Sequence, residues 1–406
     1  MPTDTTPRPT GPVPRAATPH QLAWLRGELT EWTREGLLDP ALAETLLGRY
    51  HATRRLTIGR LLLLLGAGFV GVGVIWLVAD NLDQLSPLGR FVLVTAAWLA
   101  LLVGSETLAA RQAGGTRGSR ALVLALRTLT ALVFGAVVFQ AAQGLHVPAW
   151  ENALLGWWAA GALIQAYAVR SVGPLVVGQL TGLAWFVWIV VQDAPSGLAV
   201  VLALLAAAAL AIGLAAVHTR FLREFSDPWR DSGVVLTLVG LFAAALPFVT
   251  PDDFAWNVWL VAGTAAAVLA VAAGAVLARG RDRLEPLAVT VVAVVAVLLV
   301  LWDTGSDPSA ITAADWLHAV VSVGVYVVVA VGVAVLGTWR DRWQLTAAAA
   351  AALVVFTTFQ SFAVFAQIIQ GAWLFVVLGL VFLATGVLFD RARRQLVSAL
   401  EPDGAS

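Results

Sequence analysis

Arg127 and Glu106 are the residues of this chain whose chemistry is hardest to reconcile with their neighbours, because each lies within a long apolar stretch. An arginine at the centre of a membrane-spanning helix costs about 2.5 to 3.5 kcal/mol on insertion scales. Arg127 lies about two turns from one end of its stretch, so its side chain can also reach the surface by snorkelling. Glu106 falls near the matching end of the preceding stretch. The spacing predicts an ion pair across a helical hairpin, and it leaves open snorkelling or a substrate or proton pathway.

A second set of polar residues consists of neutral side chains. Gln140 and Gln143 are one turn apart, with His146 and Trp150 just beyond, while Gln360, Gln367 and Gln370 recur near one face of a later helix. Hydrocarbon offers amides no water, so they bond to neighbouring helices or line a cavity. If the two helices approach, Gln140, Gln143, His146, Gln360 and Gln367 form a vestibule for a neutral or zwitterionic ligand. Gln165, Tyr167 and Gln179 extend a polar route from it. Trp157, Trp158, Trp185 and Trp188 lie deep in their stretches and read either as packing or as an aromatic wall for an apolar ligand.

These residues have to be positioned by spanning helices. The 406 residues are 59% hydrophobic and 12% charged, half the charge of an ordinary soluble domain. Apolar runs of the roughly 20 residues needed to cross a bilayer occur at about 61–79, 91–109, 121–143, 153–169, 172–191, 197–217, 233–248, 257–278, 287–302, 317–337, 345–366 and 372–389. All 25 basic residues are arginine. With the N-terminus inside, every arginine but Arg90 and the intramembrane Arg127 falls in an inner segment, as the positive-inside rule requires. The sequence therefore predicts an all-α polytopic membrane bundle of about twelve transmembrane helices with both termini cytoplasmic.

The expected organisation is a disordered tail at 1–17, a cytoplasmic helical hairpin at 18–58, a transmembrane bundle at 59–390 and a cytoplasmic tail at 391–406. The bundle divides into possible halves, 59–217 and 233–390, at a 218–232 loop. In the hairpin, Thr18 and Pro19 start one helix, Gly36 ends it, and Asp39 with Pro40 starts the next. Two such short helices bury too little to stand alone, so they are expected to dock on each other and on the inner membrane face, another subunit or the 218–232 loop, and residues 18–58 can contact a second copy or a protein partner.

Much enzymology is excluded. Without cysteine there are no disulfides, thiolate metal sites or thiol nucleophiles. His20, His51, His146, His218 and His318 form no paired zinc motif, and no nucleophile elbow or intramembrane aspartate pair occurs. No catalytic residue, metal or cofactor is implied, and there is no nucleic-acid footprint. The run Gly66, Gly68, Gly71 imitates a dinucleotide fingerprint, but inside an apolar helix it reads as a close-packing face.

Three passages carry a likeness to a known family: "GELTEWTREGLLDPALAETLLGRY" at 27–50, "ADNLDQLSPLGR" at 79–90, and "AAQGLHVPAWENALLGWW" at 141–158. Over roughly residues 20–170 the chain resembles the bacterial family of predicted membrane proteins catalogued as domain of unknown function 2157. Leu82 and Leu145 depart from that pattern, at positions where relatives often have Trp and Tyr. The resemblance implies a multi-spanning inner-membrane protein and brings no established activity. Twelve spans, buried amides and glycine-rich helices suit a transporter-like or lipid-handling carrier in the bilayer, the alternative being a scaffold or sensor that contacts partners through residues 18–58.

Overall fold

The computed structural model describes residues 15–17, 19–52, 86–113, 120–193, 195–246, 249–302, 313–365 and Arg391, with isolated positions between 62 and 73. Most of the stretch expected to span at 61–79, all of 372–389, Gln367, Gln370 and Thr18 lie outside the described residues. The chain separates into two compact units, residues 1–66 and 67–406.

In the first unit, α1 (Pro19–Arg34) ends where Gly36 adopts the left-handed conformation at φ 71°. The Leu37 N–H then bonds back to the Trp32 carbonyl at 2.9 Å, a closure that glycine permits without a Cβ penalty. The Asp39 carboxylate accepts from the Ala41 N–H at 2.9 Å and Pro40 opens α2 (Pro40–Gly48). Residues Arg15–Ala17, the last of the segment read as a tail, pair in parallel with Tyr50–Ala52. Leu29 is buried in this unit, whereas Trp24, Leu37 and Leu42 are exposed.

The elements of the second unit among its described residues are helices: α3 (Pro87–Ala113), α4 (Arg120–Gly144), α5 (Ala153–Val169), α6 (Val172–Asp193), α7 (Gly197–Phe221), α8 (Arg223–Ala244), α9 (Val258–Leu277), α10 (Leu284–Leu301), α11 (Ala313–Trp339) and α12 (Trp343–Phe365). Eight of these, all but α5 and α8, are long and apolar enough to cross a bilayer.

Helix α7 is the most enclosed, because alanine and glycine dominate it and let neighbours come close. It packs against α8, α9, α10 and α6. At Gly213 an added Cβ would stand 2.4 Å from the Ala270 backbone of α9, so only glycine fits this crossing. The largest apolar core joins α7, α8, α10, α11 and α12 through side chains such as Leu205, Leu238, Leu241, Leu299 and Tyr326. Helix α4 packs with α3, α5 and α6, and α12 packs with α11 and α8.

One departure from the sequence reading matters for the site. Residues 218–232, expected as a loop, are helical: α7 runs to Phe221 and α8 starts at Arg223 after the single residue Leu222. The Ser226 hydroxyl donates to the Ala215 carbonyl at 3.0 Å, and the two helices pack along their length. Charged residues read as loop chemistry are here one face of a packed helix, so no loop divides the bundle at this point.

Candidate functional site

The helix ends that carry arginine are tied together by charge. Arg230 on α8 is only 1% exposed. Its Nε donates to Glu285 Oε2 at 2.8 Å, its Nη1 to Asp227 Oδ1 at 2.8 Å and its Nη2 to Ser226 Oγ at 3.3 Å. Glu285, buried at the start of α10, also pairs with Arg340, which donates to Asp282 at 2.5 Å. Arg342 completes the network with 2.5 Å contacts to Asp227 and Asp231. Three guanidinium groups, from α8 and the α11–α12 turn, thus meet four carboxylates from α8, the turn Gly280–Arg283 and the start of α10.

That last turn is built by a left-handed residue. Asp341 sits at φ 51°, and the Arg342 N–H reaches back to the Gly337 carbonyl at 2.7 Å. This closes α11 in the manner usually assigned to glycine and leaves Arg340 and Arg342 flanking the reversal. Burial pulls the Arg340 guanidinium toward deprotonation, but Glu285 and Asp282 outweigh it and raise its pKa. Burial raises the Asp231 carboxyl above its ordinary range, partly opposed by Arg342.

Arg127 and Glu106 are brought together. Arg127 Nε and Nη2 donate to the two carboxylate oxygens at 2.8 and 2.5 Å, a bidentate pair joining α4 to α3. Arg127 Nη1 also donates to the Val169 carbonyl at 3.2 Å, and Gln165 returns a bond to the Arg127 carbonyl at 3.2 Å, so α5 is tied to the same point. The guanidinium is consumed in joining three helices.

The amides expected to share a vestibule are not assembled into one. Gln140, buried on α4, donates to Gln143 Oε1 at 3.1 Å, while Gln143 and His146 are exposed. Gln360 is buried on α12 with Oε1 unpaired. Among the described residues no packed interface joins α4 to α12. The physical reason is that α4 is enclosed by α3, α5 and α6, and α12 faces α11 and α8. Among the described residues Gln140, Gln143 and His146 therefore stand apart from Gln360, and Gln367 lies outside the described residues.

The space the structure does provide is elsewhere. A groove of about 700 Å³ runs between α5, α6, α7, α8 and α9, from Asn152 at one end to Trp229 and Ser232 at the other. Its wall is glycine and alanine at Gly156, Gly178, Gly182, Ala207, Ala211 and Gly263, capped by aromatic rings. Trp157 and Trp185 line it, and Trp185 meets Trp259 edge to face at 5.5 Å. Trp158 instead packs on Gly135 and donates to the Ala131 carbonyl at 2.8 Å.

Asn152, Gln179 and Ser232 are the amide and hydroxyl side chains in the lining of the groove. Gln179 Oε1 accepts from Ser232 Oγ at 2.8 Å, and its buried Nε2 has no partner. The rim is held rigidly. At the end away from the arginines, Asn152 donates to Gln192 at 2.6 Å and Asn257 to the Val190 carbonyl at 2.9 Å. At the other, Trp229 Nε1 donates to the Tyr167 hydroxyl at 3.0 Å, and Tyr167 lies 3.1 Å from His218 Nε2. His218 Nδ1 is 2.6 Å from the Leu214 carbonyl. A carbonyl only accepts, so Nδ1 bears hydrogen, and in the neutral ring Nε2 accepts from Tyr167.

Residues 30–175 match the model of the family described as predicted membrane protein (DUF2157). That match overlaps the passages on which the resemblance rests, and it covers α3, α4 and α5 with the Arg127–Glu106 pair. No curated protein and no solved structure matches the chain. Among the described residues no group of three or more His, Cys, Asp or Glu is placed to hold a metal ion.

Proposed function

We propose that this membrane protein binds a lipid-like amphiphile in the groove between α5 and α9 and handles it as a carrier within the bilayer. The observation that carries the reading is the combination of a large apolar groove with the unpartnered amide of Gln179. Ligand pockets typically pair apolar walls with a few placed polar groups, and a turn of the Gln179 side chain brings its unpartnered N–H to a ligand acceptor in the groove. A neutral carbonyl or ester oxygen on an acyl chain supplies that acceptor, with Trp157, Trp185 and Trp259 against the chain.

In this reading the chain crosses a bacterial inner membrane twelve times, with the arginine-bearing ends and both termini in the cytoplasm. Gly182 provides the test. It lines the groove, and a Cβ there makes only an ordinary 3.5 Å contact with Ala159, so Gly182→Phe fills the space without straining the helix crossing. Lipid extracted from protein purified in mild detergent should lose its dominant tightly held species in Gly182→Phe. An unchanged lipid complement in the folded variant contradicts the reading.

The exposed Trp24, Leu37 and Leu42 of the first unit favour a second reading, a scaffold or sensor whose residues 18–58 contact a protein partner. Deleting 18–58 would then abolish partner capture while leaving bound lipid unchanged.

A further inference from the structure

A second crevice, of about 490 Å³, lies apart from the groove and has the opposite character at its mouth. Its shaft is formed by two apolar stripes, Ala288, Val289 and Val292 on α10 and Val329, Gly332, Val333 and Leu336 on α11. The α11 residues recur at i, i+3, i+4 and i+7, hence on one face, and Arg340 continues that face one turn further. From Val329 to Arg340 the stripe extends roughly 16 Å along the helix. At the arginine-bearing end the lining turns ionic, with Asp282, Glu285 and Arg340.

We infer that this crevice seats one phospholipid with a zwitterionic headgroup that carries a primary ammonium, its acyl chain in the α10–α11 shaft and its headgroup on Asp282 and Arg340. The apolar shaft belongs to two helices apolar enough to span the bilayer, so an acyl chain is the occupant already at hand. The mouth carries two carboxylates and one guanidinium, which disfavours an anionic lipid and suits a headgroup bearing both signs. Arg340 Nη2 is engaged by Asp282 and Glu285, while its buried Nε has no partner. The Arg340 side chain is 23% exposed, so a phosphate oxygen can meet the open part of the guanidinium with a charge-assisted bond. The ammonium then falls to Asp282, the more exposed of the two carboxylates, since Glu285 is shared with Arg230. A quaternary ammonium has no N–H for Asp282, so the headgroup should be distinguished from its trimethylated counterpart.

The inference is independent of whether the first groove holds a ligand. Purified protein is incubated in detergent with equal amounts of phosphatidylethanolamine, phosphatidylcholine and phosphatidylglycerol of identical chains, and retained lipid is counted by native mass spectrometry. One ethanolamine lipid should be retained per protein, favoured roughly tenfold over the others by its additional charge-assisted bonds. Gly332→Phe should remove it, because a Cβ at Gly332 has open space and the ring plugs the shaft far from the ionic residues. Asp282→Asn should erase the preference between the ethanolamine and choline lipids. Gly182→Phe, confined to the other groove, should leave the preference for the ethanolamine lipid unchanged, even where it removes a lipid held in that groove. Arg340→Gln should weaken retention of the ethanolamine lipid, and if that variant does not fold, Gly332→Phe still decides the matter. Equal retention of the three lipids by the wild type, or undiminished retention in folded Gly332→Phe, overturns the inference, and loss only in Gly182→Phe assigns the lipid to the first groove.

Discussion

Replacing Glu285 by Gln should destabilise the bundle far more than replacing Asp227 by Asn, although both carboxylates touch Arg230. The guanidinium is 1% exposed and Glu285 8%, whereas Asp227 is 56% exposed. Removing one member of a buried ion pair typically costs about 3–5 kcal/mol, because the remaining charge is left in a poor solvent. Asp227 and Ser226 still hold two of the three guanidinium nitrogens in Glu285→Gln, so the loss belongs near 3 kcal/mol, at the lower end of that range. Asp227→Asn removes a pair that water already screens, worth about 0–1 kcal/mol, and Arg342 keeps Asp231. The double replacement Arg230→Met with Glu285→Met removes both buried charges, and Arg340 keeps Asp282. It should therefore recover most of the single-variant loss. Reversible unfolding in mixed micelles, followed by tryptophan fluorescence, reads all four proteins. The reasoning fails if Asp227→Asn costs as much as Glu285→Gln, or if the double variant is no more stable than Glu285→Gln.

Gly213→Ala should destabilise by about 1–3 kcal/mol through overpacking against Ala270, while Gly104→Ala, whose Cβ meets open space, should be near neutral in the same unfolding assay. Exchanging the charges of Arg127 and Glu106 together should restore expression better than either single reversal, since each reversal alone places like charges at bidentate distance. Asp231 has a pKa raised by burial, so its contribution is fully present below the unfolded carboxylate pKa and is lost as pH rises through the folded value. Thermal unfolding should accordingly show wild type losing stability relative to Asp231→Asn as pH rises from acid toward neutrality, and a gap that widens in the opposite direction would refute the assignment. Membrane-impermeant labelling of single cysteines at residues 224, 282 and 341 should report one side of the membrane, and at 150 and 252 the other.

Hydropathy located the described helices because apolar length is a local property. The arginine pattern grouped their ends, and the structure joins those ends through Arg230, Arg340 and Arg342. The pairing itself was not legible. Arg342 and Asp231 are 111 residues apart and Arg230 and Glu285 are 55 apart, so each read as a solvated loop charge until packing brought it opposite its partner. For the same reason 218–232 read as a loop: a run with Arg223, Asp227, Arg230 and Asp231 resembles aqueous sequence, yet its charges are satisfied within the packed helix ends. The amides left two solutions open. Gln140 and Gln143 lie one turn apart and bond to each other, a local solution that needs no cavity. Trp157 and Trp185 were legible as an aromatic wall, but the small-residue floor of Gly178, Gly182 and Ala211 became a groove only once α7 and α8 were set behind it.

A density map of the protein in nanodiscs formed directly from native membrane tests the central claim most directly. An elongated density should lie in the groove between Trp157 and Trp229, with a polar atom within hydrogen-bond distance of Gln179 Nε2. A well-resolved groove that is closed by its own side chains, or that holds only water while Gln179 finds a protein partner, would contradict the account.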